Sequence, residues 1–218
     1  MVHNLRATNS IFNQYIAEIR DIHIQGDMLR FRRNLERIGA LMAYEISKDL
    51  DYEMEDVQTP LGIAKVPKLK SNIVLATILR AGLPFHQGML NVFDKAESAF
   101  ISAYRKHNKD GSFKIKLEYM AKPDLKDKIL ILSDPMLATG ASMKLTYQAI
   151  IEDVKPKHTY LASVIASSEG VDYVKKNFSS EDVSIWVGAI DDELTAQAYI
   201  VPGLGDAGDL AYGRKEDK

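Results

Sequence analysis

Three stretches carry residues whose types and spacing suit chemistry on a phosphorylated ligand. In LILSDPMLATGAS, Leu130 to Ser142, an apolar run delivers Asp134, a small-residue loop follows, and an amphipathic stretch begins near Ser142. Backbone amides of Met136 to Ala141, the hydroxyls of Thr139 and Ser142 and the start of a helix can converge there on a phosphate. Asp134 stands where a carboxylate could hold two vicinal hydroxyls, as on a ribose; the same residues also fit a loop whose Asp and Thr only cap a helix. Neither GxxxxGK[ST] nor GxGxxG is present, which separates this loop from the P-loop and from dinucleotide fingerprints. In ILRAGLPFHQGML, Ile78 to Leu90, an apolar run ends at Arg80, Ala81 and Gly82, a second place for an anion. In YIVPGLGDAGDLAYG, Tyr199 to Gly213, four glycines fall within eleven residues. That density excludes a regular helix or strand. Such a loop either exposes amides and carbonyls that read the edge of a flat heterocycle, with Asp206 and Asp209 adding carboxylates for a metal or a proton, or is a structural turn.

These stretches need elements to hold them. NIVLATIL, Ala99 to Ala103, Lys128 to Leu132, Thr159 to Ala166 and Val183 to Ala189 are short apolar runs of the kind buried strands make. Helical patterns over Leu83 to Val92, Ser142 to Val154 and Gly170 to Asn177 fall between several of them. That alternation predicts an α/β fold with a mostly parallel sheet covered on both faces, in which ligands collect at strand-to-helix junctions. Asp27 to Lys48 predicts an amphipathic helix capped by Asp27. Its basic residues Arg30, Arg32, Arg33 and Arg37 form either a solvated face or an effector surface. The polar stretch Arg105 to Pro123, with a turn at Asp110–Gly111, predicts a protruding hairpin or flap.

Composition bounds the rest. The chain has 218 residues, 46% hydrophobic and 27% charged, with no cysteine; one domain is expected, and thiolate metal sites, disulfides and a cysteine nucleophile are excluded. Its 28 basic and 30 acidic residues give a net charge of −2, so no general field draws it to nucleic acid or an anionic membrane. Between Ile38 and Gly213 only two Arg occur, Arg80 and Arg105, among many Lys. Both close predicted strands, where a planar bidentate fork suits a phosphate. The five histidines lack metal-site spacing, and Trp186 and the methionines read as packing. The N-terminus has no signal-peptide layout and no run reaches a membrane span, so a cytoplasmic protein is expected.

ILRAG, DPMLATGAS and YIVPGLGDAGD, in this order and at these separations, closely resemble the uracil phosphoribosyltransferase family of the type I phosphoribosyltransferase superfamily, over about Arg32 to Gly213. The resemblance implies the type I phosphoribosyltransferase fold over 1–218, with an N-terminal helical segment 1–50, a β-arm or flap at 105–123 and a C-terminal hood at 199–213. It implies transfer of a phosphoribosyl group from phosphoribosyl pyrophosphate to uracil N1, giving UMP and diphosphate. Asp134, Pro135, Met136, Leu137, Ala138, Thr139, Gly140, Ala141 and Ser142 would bind the ribose 5′-phosphate, Arg80 and Arg105 the diphosphate, and Ile200, Gly205, Asp206 and Ala207 the uracil. Asp206 would also face the donor and is the carboxylate candidate for the N1 proton. The resemblance further implies Mg2+ carried by the donor rather than by fixed protein ligands, a homodimer or higher homo-oligomer, and GTP as an effector, with no nucleic-acid or membrane partner. The sequence departs from the family pattern at Ala141, where Gly is more usual, at Leu210, where a basic residue is common, and at Tyr212, where Phe often stands. A gene regulator on the same fold would need a basic RNA face. Purine and orotate enzymes normally carry paired acids where Ser133 and Pro135 flank a single Asp134.

Overall fold

The computed structural model describes residues 1–107 and 113–215, and of 103–107 and 113–116 the backbone alone. In chain order the elements are β1 (Val2–Asn4), α1 (Ile11–Arg20), α2 (Met28–Ser47), β2 (Tyr52–Thr59), β3 (Gly62–Leu69), β4 (Ile73–Leu79), α3 (Gly82–Leu90), β5 (Glu97–His107) and β6 (Phe113–Ala121). There follow β7 (Ile129–Ser133), β8 (Met136–Leu137), α4 (Ala141–Ile150), β9 (His158–Ser167), α5 (Ser168–Asn177), β10 (Val183–Asp191), β11 (Glu193–Leu194), β12 (Ile200–Val201) and α6 (Ala207–Tyr212). The central sheet runs β1-β10-β9-β7-β4-β5-β6, with β8 beside β9. All its pairs are parallel except β5 with β6.

The apolar runs are continuous because both sheet faces are covered. Alternate residues of each strand go to opposite cores: Ile73, Leu75, Ile129, Ile131 and Trp186 pack with α1, α2 and α3, while Val74, Ala76, Leu130, Leu132 and Ile185 pack with α4 and α5. The parallel α/β fold expected from the sequence is therefore the observed one. Asp27 caps α2 as predicted, its Oδ1 accepting from the Arg30 N–H at 3.0 Å.

Other features were not foreseen. Residues Val2–Asn4 form an edge strand parallel to β10. Tyr52–Thr59 and Gly62–Leu69 form a separate two-stranded arm. The strands of the hairpin expected over 105–123 are the antiparallel β5 and β6 at the sheet edge; its expected turn at Asp110–Gly111 lies outside the described residues.

Buried Glu18 ties α1 to α2. It accepts from Arg30 Nε at 3.0 Å, Asn34 Nδ2 at 2.8 Å and Gln14 Nε2 at 3.2 Å, and these bonds, Arg30's first, bring its carboxyl down to about 2. The rest of the α2 basic group is also engaged within the chain: Arg32 with the Ala211 carbonyl, Arg33 with Glu36, Arg37 with Asn34. These are the ordinary pairings of a solvated face. His3 stacks on Trp186 at 4.0 Å and His158 meets Ser184 at 3.0 Å, structural roles as expected.

Candidate active site

Strand register brings the first two motifs together. Thr77 of β4 lies opposite Ser133 of β7, so Arg80 and Asp134 leave the carboxyl ends of adjacent strands, the edge where parallel sheets bind ligands. On the other side of β4, Leu79 lies opposite Ser102 of β5. Arg105 sits three residues further along β5, opposite Ile115 of β6; its side chain lies outside the described residues.

The Asp134–Ser142 segment is held more firmly than a loop of small residues suggests. The Pro135 carbonyl accepts from the N–H groups of Val164 and Ile165 at 3.1 and 3.0 Å, and Met136 and Leu137 pair with Ile165 and Ala166 as β8. Asp134 donates its N–H to the Ala162 carbonyl at 3.0 Å and accepts from Met136 N–H at 3.3 Å. Gly140 then turns the chain with φ +77° and starts α4, a backbone conformation that costs other L-residues about 1–2 kcal/mol. It contributes no side-chain cap to α4. The helix N-terminus therefore faces the notch lined by Asp134, Met136, Thr139, Gly140 and Ser142 with donors that suit an anion.

Two residues that the sequence reading missed fix this loop from behind. Ser167 Oγ donates to the Ala138 carbonyl at 2.5 Å and accepts from Gly170 N–H at 2.8 Å. A Cβ on Gly170 would stand 2.3 Å from the Ala138 oxygen, so α5 approaches the loop backbone to backbone. The signal was a Ser-x-x-Gly at a strand-to-helix junction, but its partner lies 29 residues away.

The glycine-rich C-terminal stretch resolves into β12, a turn and α6. Ile200 is buried and pairs with Leu194. Gly203 has φ +55°, and a Cβ there would lie 2.1 Å from the Ile200 oxygen, so the turn closes only on glycine. Gly205 is exposed and Asp206 half-buried; together with Gln25, Asp209 and Arg214 they line a cavity of about 550 Å³. Asp206 caps α6, Oδ1 accepting from Asp209 N–H at 3.0 Å.

Arg80 joins the two halves. Its Nη2 meets Asp209 Oδ1 at 3.1 Å and its Nη1 the Gly213 carbonyl at 3.3 Å. Asp209, named from the sequence as a carboxylate for a metal or a proton, engages Arg80 here. Asp134, Arg80 and the GDAGD stretch, separated in sequence, thus belong to one connected edge of the molecule.

A profile described as "Uracil phosphoribosyltransferase" matches residues 7–214. The chain belongs to the uracil phosphoribosyltransferase family. The uracil phosphoribosyltransferase of Porphyromonas gingivalis is 54% identical over 212 residues, spanning 97% of this chain and 98% of that protein. The Methanothermobacter thermautotrophicus protein of the same name is 39% identical over 211 residues, spanning 96% of this chain and 94% of that protein. Among solved structures, the AQ2163 protein of Aquifex aeolicus superposes with a TM-score of 0.85 at 31% identity, covering 98% of both chains. A hypoxanthine phosphoribosyltransferase of Staphylococcus aureus superposes at 0.51 with 12% identity, covering 86% of this chain and 84% of that one, a likeness of fold alone. Within the family, the match spans every motif built above, including the hood.

Proposed function

We propose that this chain transfers the 5-phosphoribosyl group of phosphoribosyl pyrophosphate to uracil N1, giving UMP and diphosphate, with the Asp134–Ser142 loop holding the ribose 5-phosphate. The observation that carries the site reading is Arg80, which stands beside the phosphate loop by strand register and reaches the hood through Asp209. One side chain thus touches the region where the diphosphate leaves and the region where the base enters.

Displacement at the anomeric carbon builds negative charge on the departing diphosphate, and the reaction gains most from fixed positive groups there. Arg80 and Arg105 supply them. Asp134 accepts from the ribose hydroxyls, and the amides at the start of α4 with Thr139 and Ser142 hold the 5′-phosphate. Ile200, Gly205 and Ala207 read uracil largely through backbone groups, and Asp206 faces N1 and the donor. Covering the site excludes water that would otherwise hydrolyse the donor, a role that suits the β5–β6 pair carrying Arg105 at the edge of the sheet.

Magnesium fits this donor set in a particular way. Among the described residues no group of three acidic or histidine side chains is placed around one point, while a hard cation can take its oxygens from the diphosphate and water with one protein carboxylate; Asp206 is that carboxylate. When bound, the ion neutralises charge on the leaving group.

A second copy of the chain is the proposed partner. In the β2–β3 arm, Tyr52 lies opposite Leu69, Met54 opposite Pro67 and Gln58 opposite Ile63, which puts their side chains on one face. Tyr52, Met54, Ile63 and Leu69 are all exposed. A lone two-stranded ribbon is marginal in water, and an equivalent subunit would cover that face. Charged phosphorylated substrates do not leave the compartment that makes them, which favours the cytoplasm; among the described residues no helix is long and apolar enough to cross a membrane.

The test is release of UMP and diphosphate from purified protein with donor, Mg2+ and uracil, run beside hypoxanthine, guanine and orotate, with and without GTP, and with the mass in solution. Turnover with uracil is expected, the other bases staying at background, at a dimer mass or above. No UMP under these conditions would overturn the reading.

A further inference from the structure

Arg20 and Asp191 lie 171 residues apart in sequence and form a buried two-point ion pair: Nη1 to Oδ2 at 2.7 Å and Nη2 to Oδ1 at 2.8 Å. Their side chains are 17% and 3% exposed. Both partners also grip the same residue of the hood. Arg20 Nη1 donates to the Gly203 carbonyl at 3.0 Å and Asp191 Oδ2 accepts from the Gly203 N–H at 2.9 Å. The two backbone polar groups of one glycine are therefore satisfied by one ion pair, and that glycine is the tight turn between Ile200 and Gly205.

The scaffold around the pair is rigid. Asp191 ends β10, a strand inside the central sheet, and Arg20 ends α1, where its own carbonyl accepts from Gln25 Nε2 at 2.8 Å. The pair consequently transfers the position of the sheet and of α1 to the Gly203 backbone, between the buried side chains of Ile200 and Leu204. A loop that reads a base through backbone groups must hold them to a fraction of an ångström, because hydrogen bonds weaken steeply with distance and angle.

We propose that Arg20 and Asp191 are positioning residues that set the register of the base-reading backbone, and so the affinity for uracil, without touching either substrate. This rests on the reading that Ile200 and the Gly205–Ala207 stretch bind uracil. A Lys at position 20 keeps the charge but loses the fork that serves Asp191 and the Gly203 carbonyl together.

The experiment measures KM for uracil and for the donor, kcat and melting temperature for the parent, Arg20→Lys, Arg20→Gln, Asp191→Asn and Gly205→Ala. Gly205 has φ +92° with open space where a Cβ would stand, so its replacement disturbs the loop itself. In folded Arg20→Lys and Asp191→Asn, uracil KM is expected to rise about tenfold or more with donor KM within twofold, and Arg20→Lys to retain more uracil affinity than Arg20→Gln. Equal rises in both KM values, or a lowered melting temperature with uracil KM unchanged, would assign the pair to general stability and overturn the proposal. If Gly205→Ala raises uracil KM and the pair variants do not, positioning fails while the base site stands. If Gly205→Ala itself leaves uracil KM unchanged, the base-site reading fails first. Should Asp191→Asn not fold, Arg20→Lys carries the same decision.

Discussion

Replacing Arg80 separates chemistry from folding. Its guanidinium carries five N–H donors, of which the two contacts to Asp209 and Gly213 occupy one on each terminal nitrogen, so the others are free to meet an anion. On the stability side the ion pair is weak, because Arg80 and Asp209 are 40% and 31% exposed; such pairs contribute about 1 kcal/mol or less. In a chain of this length that corresponds to roughly 2–4 °C of melting temperature. On the chemical side, removing one fixed donor from charge that develops in the transition state costs about 3 kcal/mol, or roughly 150-fold in rate. Arg80→Ala is therefore expected to lower kcat by two orders of magnitude while the melting temperature falls only a few degrees. Arg80→Lys, which keeps charge without the fork, should fall between, at a loss of about tenfold. The assay is steady-state release of diphosphate at saturating uracil with the donor varied, beside thermal melting of the same preparations. A folded Arg80→Ala protein within threefold of the parent rate would remove Arg80 from the leaving-group site. A fall of more than about 10 °C would make it a structural residue instead.

Gly140→Ala should cost about 1–3 kcal/mol, from the left-handed φ and from a Cβ 2.8 Å from Tyr173 Cδ1; thermal melting should show a lower midpoint, and donor KM should rise with uracil KM unchanged. His86 is buried with Nε2 3.1 Å from Ser98 Oγ, and burial lowers its pKa from 6.5 to about 4. The native imidazole thus stays neutral while the unfolded one takes a proton near pH 6.5. Its contribution to stability is complete above pH 6.5 and is lost as pH falls towards 4, with a slope of at most about 1.4 kcal/mol per pH unit. Denaturant melts of His86→Gln across that window should lose this slope, and an unchanged slope would show that another group sets it.

The central strands were legible because each is a short apolar run buried on both faces, a pattern with little competition from surface helices. Phase and extent were harder. β5 continues through Tyr104 to His107 because it pairs with β6, and that pairing replaces the hydrophobic signal by which its end was judged. The β2–β3 arm was missed for a related reason: its apolar residues alternate with Glu53, Glu55 and Lys68, are interrupted on their own face by the Asp56–Lys65 pair and meet no core, so only the register Tyr52 to Leu69 reveals the shared face. Helix α1 did carry a signal, Ser10 as cap and Phe12, Ile16 and Ile19 at helical spacing. The close seat of α3 on α2 was invisible, since it depends on Gly88 lying where a Cβ would stand 1.9 Å from the Glu36 oxygen. In the proposed site, loops of consecutive residues were readable as motifs; Ser167, Gly170, Arg20 and Asp191 bond to or lie against those loops from other parts of the chain and were not.

The distribution of arginine takes on a different meaning once the hood is built. Three arginines from three elements each donate to a hood carbonyl: Arg20 to Gly203 at 3.0 Å, Arg32 to Ala211 at 2.6 Å and Arg80 to Gly213 at 3.3 Å. Each also makes a second contact that a lysine could not combine with the first in one plane: Arg20 with Asp191, Arg80 with Asp209, and Arg32 over the Tyr212 ring at 5.8 Å from its centroid. Ile200, Leu204, Ala207 and Ala211 seat this segment in the core, and the forked donors add fixed points at three of its carbonyls; in the proposed site they leave the backbone groups between them for the base. The basic residue Arg32, which the sequence allowed to be an effector surface, is one of these anchors. In the described side chains between Ile38 and Gly213, the one arginine stands where the hood meets the carboxyl edge of the sheet.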